Sequence, residues 1–310
     1  MSQEIKKIPV VVIVGPTASG KTGLAIEVAK KFDGEIVSAD SMQVYKGFPI
    51  ASAAPTEYEK SIIPHHLVEF LEPSVKFSVA DYVKFASKCI YDINRRGKLP
   101  VIAGGTGLYI NSLIDGISFG EKQEDEKLRQ SIEEEYDLLG GEKMLQKMAE
   151  FDSETASRLS SGDKRRIVRA FEIYRSTGIT ITKQNELSKL KASPYKPTII
   201  GITYEDRQKL YDRINSRVDL MLKNGLINEA KQFSEDNVTA SQAIGHKELM
   251  PYLRGEISLE EAVETLKRET RRYAKRQLTW FRRDTRINWI YADKEDVLKK
   301  TFSIIKEGMK

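Results

Sequence analysis

Two hydrophobic periods alternate along this chain. Val10 to Val14 is an unbroken apolar, mostly β-branched run, which predicts a strand buried on both faces. After a short glycine-bearing stretch, Leu24, Ala25, Val28, Ala29 and Phe32 recur at helical spacing and predict a helix from about Lys21. A second short strand is predicted over Gly34 to Asp40, and Pro49 to Pro64 reads as loop. From Phe77 to Arg96, Val79, Tyr82, Val83, Ala86, Ile90 and Ile93 predict a helix with Ser78 as its N-cap and Gly97 as its stop. Leu99 to Ala103 is a further buried strand, running into GGTGLY. The alternation then lapses. Between Asp115 and about Lys196 the periodic stretches Leu128 to Leu139, Lys143 to Phe151 and Lys164 to Arg175 all predict helices. Strand character returns at Thr198 to Thr203, followed by helices over Arg207 to Lys223 and Ser258 to Arg283, a short strand WIYA and a final helix. Ser258 and Glu261 stand at capping-box spacing.

The stretch between the first strand and the first helix, GPTASGKT, satisfies the phosphate-loop pattern G-x-x-x-x-G-K-[ST]. In that geometry backbone N–H groups of Gly15, Pro16, Thr17, Ala18, Ser19, Gly20, Lys21 and Thr22, proline excepted, converge with the helix dipole on a polyphosphate. Lys21 supplies a point charge and the Thr22 hydroxyl a Mg²⁺ ligand. Strand, helix and strand, with such turns at strand ends, predict an α/β fold: a P-loop, doubly wound, mostly parallel sheet core. The helical stretch reads as an all-helical insertion. The expected domains are a discontinuous catalytic core, 1–114 with 197–310, and an insertion, 115–196.

Composition narrows the class. At 310 residues the chain is long enough for one large or two smaller domains. The apolar run near the N-terminus breaks into the loop too soon for a signal peptide or a membrane span. Cys89 is the single cysteine, so no intrachain disulfide forms, and a cytoplasmic location is expected. The net charge of +5 hides an asymmetry: Leu266 to Arg286 holds nine Lys/Arg against Glu269 and Asp284, while Glu121 to Ser160 holds twelve acids against six bases. That concentration points to a polyanionic partner on one surface.

Asp40, at a strand end, is placed to act as a Mg²⁺-associated acid or as a general base near bound phosphate; a turn cap is the plainer reading. Arg213 and Arg217 sit one turn apart, either in surface ion pairs or against a leaving diphosphate. Thr106, among three glycines, presents a hydroxyl where the backbone admits a ligand. His65 and His66, adjacent and without cysteine nearby, suit structural roles better than metal ligation. Trp280 and Phe281 read as core rather than as base platforms. The basic helix, DKRRIVR at Asp163 to Arg169, and SQAIGHK at Ser241 to Lys247 are three segments able to line one nucleic-acid surface. On these residues alone several functions stay open: an RNA-modifying transferase, a small-molecule kinase in which Asp40 activates a hydroxyl, a nucleotide-gated RNA binder, and an enzyme acting on free AMP or ADP.

GPTASGKT, DSMQVY, PHHL, AGGTGLY, DKRRIVRAFEIY, RINSRVDLM, QAIGHKEL and AKRQLTWFR, in that order, resemble the bacterial tRNA dimethylallyltransferases, also called tRNA isopentenyltransferases. The resemblance runs from about residue 8 to residue 290 and implies transfer of a dimethylallyl group from dimethylallyl diphosphate to the exocyclic amine of the adenosine 3′ of the tRNA anticodon. It implies that Gly15 to Thr22 hold the diphosphate with Mg²⁺ and that Asp40 is the base. Ser41, Met42 and Gln43 would read the flipped adenine, and Thr106 and Arg217 would steady the diphosphate and the reacting centre. tRNA contacts are implied for Arg165, Arg166, Ile167, Val168 and Arg169; for Gln242, Ala243, Ile244, Gly245, His246 and Lys247; and for Lys275, Arg276, Gln277, Leu278, Thr279, Trp280, Phe281 and Arg282. The insertion would close over the anticodon stem-loop. No zinc and no obligate protein partner are implied.

Overall fold

The computed structural model describes residues 7–117, 125–189, 192–232 and 243–309, residue 189 without its side chain. In chain order it forms β1 (Ile8–Val14), α1 (Lys21–Lys31), β2 (Gly34–Ser38), α2 (Glu57–Ile62), β3 (His65–His66), α3 (Val79–Arg95), β4 (Leu99–Gly104) and α4 (Gly107–Ile114). Helices α5 (Glu126–Leu139), α6 (Gly141–Ala149), α7 (Ser153–Arg158), α8 (Lys164–Thr177) and α9 (Ile181–Lys189) follow. The chain continues with β5 (Tyr195–Thr203), α10 (Arg207–Lys223), α11 (Leu226–Gln232), α12 (His246–Leu253), α13 (Leu259–Phe281), β6 (Asn288–Tyr291) and α14 (Val297–Gly308). Met1–Ile114 with Pro194–Lys310 make one unit, and Asp115–Ser193 make another.

The first unit is built on a six-stranded, wholly parallel sheet of order β3-β2-β4-β1-β5-β6. β1 is its centre, and the unbroken apolar run is explained by cover on both faces. Val10, Val12 and Val14 pack with Tyr82, Ile90 and Ile110 of α3 and α4. Val11 and Ile13 face the other way, onto Leu24 and Ala25 of α1 and Ile305 of α14. α1 therefore leaves β1 on one face while α4 leaves the neighbouring β4 on the other. The crevice between those two strand ends is the switch point where doubly wound sheets bind ligands.

Register then brings the strand ends together. Val14 pairs with Gly104 and Ser38 with Ala103, so Gly15, Gly105 and Asp40 all emerge at one edge of the sheet. Ser78 and Ser258 cap their helices in full capping boxes with Asp81 and Glu261. β5 starts earlier than the TIIGIT alternation suggests, because the Ile8 amide donates to the Pro194 carbonyl at 2.9 Å and Tyr195 pairs with Ile8. The loop expected over Pro49 to Pro64 contains α2, closed by a Thr56–Glu59 capping box.

The second unit is helical throughout its described residues, with Ile132, Met144, Met148, Ile167, Val168 and Phe171 as its core. Asp152 is its internal staple: it caps α7 through the Thr155 amide at 3.0 Å and holds the Thr182 amide and hydroxyl at 3.1 and 2.6 Å.

Candidate active site

The GPTASGKT turn joins β1 to α1 much as its sequence predicts. Gly20 caps α1 in a left-handed conformation, which leaves the first-turn N–H groups of the helix directed outward. The Lys21 ammonium folds back to donate to the Pro16 carbonyl at 2.7 Å. Burial pushes its pKa from 10.5 to about 7, the neighbouring Arg217 pushes it the same way, and Asp40 opposes both. Ser19 is 2% exposed and its hydroxyl has no hydrogen-bond partner among the described residues.

Asp40 follows β2, and its Oδ1 accepts from the Met42 amide at 2.9 Å, a tight turn that fixes the carboxylate at the mouth of the crevice. The plainer reading of Asp40 as a turn cap is thus half right, since the second oxygen has no described hydrogen bond. Beneath it the Ala39 carbonyl accepts from the Thr106 amide at 3.1 Å. Arg217 comes from the middle of α10 and is held largely out of solvent; burial lowers its pKa and Asp40 counteracts that shift.

These groups share one cleft of about 370 Å³. Its lining includes the polar Thr17, Lys21, Thr22, Asp40 and Arg217 and the apolar Val218, Met221, Ala243, Ile244 and Leu266. A contiguous lobe runs past Ala18, Gly20, Gly23 and Arg213. Arg213 is exposed, stacks over Tyr204 at 5.5 Å and donates to the Ala18 carbonyl at 3.0 Å, so it braces the turn from outside. Ser41, Met42 and Gln43 line the cleft too. The Gln43 amide is already committed, donating to the carbonyls of Ser52 and Ala53 at 3.3 and 3.0 Å and accepting from Ser38 at 2.8 Å.

Several expectations require correction. The Thr106 hydroxyl accepts from the amide of the cleft-lining Ser41 at 3.0 Å and so supports the Asp40 turn. Of the glycines around it Gly104 lines the cleft, and all three sit against another element of the protein. A Cβ on Gly104 would strike the backbone of Ala39, one on Gly105 the Gln277 amide, and one on Gly107 the Trp280 indole. These glycines let β2 and α13 approach.

Among the implied RNA contacts, Ile167 and Val168 are core side chains of the second unit, at 0% and 1% exposure, leaving Arg165, Arg166 and Arg169 as the outward positions of that cluster. Phe281 is likewise core at 1%, whereas Trp280, read as core, is 37% exposed. Gln277 is buried and bound to protein partners. His246 is also buried, its Nε2 2.9 Å from Glu229, whose carboxylate accepts from the Ile50 and Ala51 amides at 2.8 and 2.9 Å. This buried carboxylate, invisible in the sequence, fixes both the Ile50–Ala53 loop and the start of α12 beside the cleft. Ala243 is buried and Ile244 apolar, and both serve as cleft wall. Gly245 starts α12, Lys247 is exposed, and Gln242 lies outside the described residues.

Along α13 the charges divide. Lys267 pairs with Asp219 at 2.8 Å, Arg272 with Glu269 at 2.7 Å, and Arg271 donates to Asn215 at 2.6 Å. Lys275, Arg276, Arg282 and Arg283 are exposed and have no ion pair among the described residues, which puts the uncompensated charge at the C-terminal half of the helix. Leu278 and Thr279 lie between, half-buried and exposed respectively. His65 and His66 hold the Ile63 carbonyl and Glu35, each at 2.7 Å, in keeping with structural roles. No described helix is long and apolar enough to cross a membrane.

Comparison with known proteins places the chain among relatives over nearly its whole length. A family model described as IPP transferase matches residues 43–284, and one described as isopentenyl transferase matches residues 8–63. The chain is 48% identical over 292 residues, 92% of each protein, to a tRNA dimethylallyltransferase of a Thermoanaerobacter species. It is 45% identical over 307 residues to one of Caldanaerobacter subterraneus, covering 97% of this chain and 96% of that one. The solved tRNA isopentenylpyrophosphate transferase of Staphylococcus epidermidis superposes with a TM-score of 0.71 at 42% identity, covering 97% and 99% of the two chains. A eukaryotic dimethylallyltransferase solved while acting on tRNA superposes at 0.82 with 29% identity, covering 96% of this chain and 78% of that one.

Proposed function

The chain belongs to the IPP transferase family, whose members are tRNA dimethylallyltransferases, and from that premise we propose how its cleft carries out prenyl transfer to tRNA. The substrates are dimethylallyl diphosphate and the adenosine 3′ of the anticodon. The observation that carries the reading is the meeting of Asp40, Lys21, Thr22 and Arg217 in one cleft that Val218, Met221, Ile244 and Leu266 also line.

The diphosphate sits on the Gly15–Thr22 turn, where outward N–H groups and the Lys21 ammonium meet its oxygens. The dimethylallyl tail extends toward Val218, Met221 and Leu266. The adenosine reaches the cleft flipped from its stack, with the exocyclic amine toward Asp40. The C1–O bond to diphosphate breaks, the amine nitrogen forms the new bond to C1, and the Asp40 carboxylate accepts the proton. Arg217 and Lys21 neutralise the negative charge that grows on the leaving diphosphate.

Mg²⁺ fits the donors present. The Thr22 hydroxyl is a hard oxygen donor lining the cleft, and Asp40 keeps its second oxygen for the amine proton. The Thr22 donor matches an ion held by one or two protein oxygens and phosphate oxygens. Mg²⁺ supplies charge neutralisation on the diphosphate. tRNA is gripped by Lys275, Arg276 and Arg282 in the first unit and by Arg165, Arg166 and Arg169 in the second. The relatives decide against the kinase alternative, and the apolar residues in the cleft lining suit a hydrocarbon tail that phosphoryl transfer to a small hydroxyl compound does not need.

Nucleoside mass analysis of tRNA after incubation with the protein, Mg²⁺ and dimethylallyl diphosphate tests the reading. A modified adenosine 3′ of the anticodon is expected. Unmodified tRNA, with turnover of ATP instead, would overturn it.

A further inference from the structure

Helix α13 presents two surfaces at once. Toward the cleft it sends Leu266, Thr270, Tyr273, Arg276 and Gln277. Toward solvent, on the same two turns, it carries the uncompensated Lys275 and Arg282. Between them lies Gln277, 6% exposed, whose Oε1 accepts from the Thr17 amide at 2.8 Å and whose Nε2 donates to the Gly105 carbonyl at 3.1 Å. Thr17 belongs to the turn that follows β1 and Gly105 to the turn that follows β4, so a single amide ties both walls of the switch-point crevice to the basic helix. The next turn repeats the contact, with the Trp280 indole lying against Gly107. The Thr17 N–H is thereby withdrawn from the set facing the anion, and the position of the turn depends on where α13 lies.

We infer that Gln277 is a positioning residue that couples the diphosphate turn to the RNA-facing helix, so that binding of RNA on α13 tightens binding of diphosphate, and the reverse. The inference rests on the proposed function, since it assigns the two surfaces to those two ligands. Physically, RNA phosphates settling on Lys275 and Arg282 hold α13 in one position. Gln277 passes that restraint to Thr17 and Gly105, and the turn no longer loses freedom when the anion arrives. Because coupling is a free energy shared by two sites, the factor must be equal in both directions.

The test is calorimetric titration of the full-length protein with inorganic diphosphate and Mg²⁺, with and without a tRNA anticodon stem-loop, for wild type, Gln277→Met and Gln277→Glu. Wild type should bind diphosphate at least about fivefold more tightly when RNA is present. In Gln277→Met, close in volume but without either hydrogen bond, the ratio should fall to about one. Gln277→Glu keeps the acceptor for Thr17 and loses the donor to Gly105, and its ratio should lie between. A residue that merely stabilises the fold would lower the melting temperature and leave the ratio intact, so a retained ratio in Gln277→Met overturns the inference, as does a ratio of one in wild type. Should Gln277→Met fail to fold, the ratio in Gln277→Glu decides in the same way. Nucleoside analysis of tRNA prenylated by the wild type runs alongside: its failure sinks the functional reading, whereas prenylation with an unchanged ratio sinks only the coupling.

Discussion

Gly104→Ala isolates the tightest junction under the reacting groups. A Cβ at Gly104 would stand 2.8 Å from the Ala39 Cα and nearer still to its carbonyl carbon and oxygen, backbone atoms that have no rotamer by which to escape. Carbon atoms settle at about 3.5–4.0 Å, so the β2 end must retreat by about 1 Å. Ala39 immediately precedes Asp40; its amide is held by the Ala103 carbonyl at 2.8 Å, on the strand being pushed away, and its carbonyl by the Thr106 amide at 3.1 Å, in the turn that follows that strand. The displacement therefore reaches the carboxylate directly. Overpacking of this kind costs about 1–3 kcal/mol of stability. In a unit of this size each kcal/mol lowers the melting temperature by about 2–4 °C. Misplacing a reacting group by about 1 Å costs about a hundredfold in turnover. Single-turnover prenylation of tRNA, followed by nucleoside mass analysis, should show that loss in a protein that still melts cooperatively and still binds tRNA. Gly162→Ala is the control, because nothing lies within 4 Å of its Cβ position. Wild-type turnover in Gly104→Ala would refute the view that the β2–β4 junction sets the position of Asp40.

Asp40→Asn should lower prenylation by about 10²–10⁴-fold, the range of a lost general base, while filter binding shows tRNA affinity largely kept. Lys21 gives a pH signature. Its folded pKa of about 7 lies below the ordinary 10.5, so between those values the unfolded state binds more protons and the group's contribution to stability rises with pH. Diphosphate affinity should move the opposite way, falling as pH rises through about 7 while Lys21 loses its charge, and Lys21→Met should flatten both trends in calorimetry. Binding of tRNA should weaken steeply with salt, and each alanine substitution at Lys275, Arg282 or Arg165 should reduce the slope of log affinity against log salt by about 0.7–0.9. A flat salt titration would remove the basic surface from the mechanism.

Features recorded in contiguous residues were legible in the sequence. The apolar run of β1, the turn GPTASGKT and the capping boxes at Ser78 and Ser258 each leave a local period or spacing, and the structure places them accordingly. The parallel sheet followed from alternation alone, and the convergence of Asp40 with Lys21 followed from its topology. Features made by distant partners were not legible. The glycines of GGTGLY invite a ligand when read alone, yet they are occupied by Ala39, Gln277 and Trp280. Lys247 and His246 look alike as polar neighbours, but only His246 turns inward, because Glu229 waits there. Gln277 sits in a run of cations and resembles its exposed neighbours until the Thr17 amide is found beside it. In each case the deciding atom belongs to another element, and no local period encodes it.

The 260-residue separation between Thr17 and Gln277 also sets an order of manufacture. On the ribosome, the strand that completes the centre of the sheet, Tyr195–Thr203, is made directly after residues 115–193. The helix that steadies the opening turn comes later still. Until it does, a half-made chain has a phosphate-binding motif in its sequence but no braced cradle in space. The opening turn thus gains its brace only once residue 277 has been added.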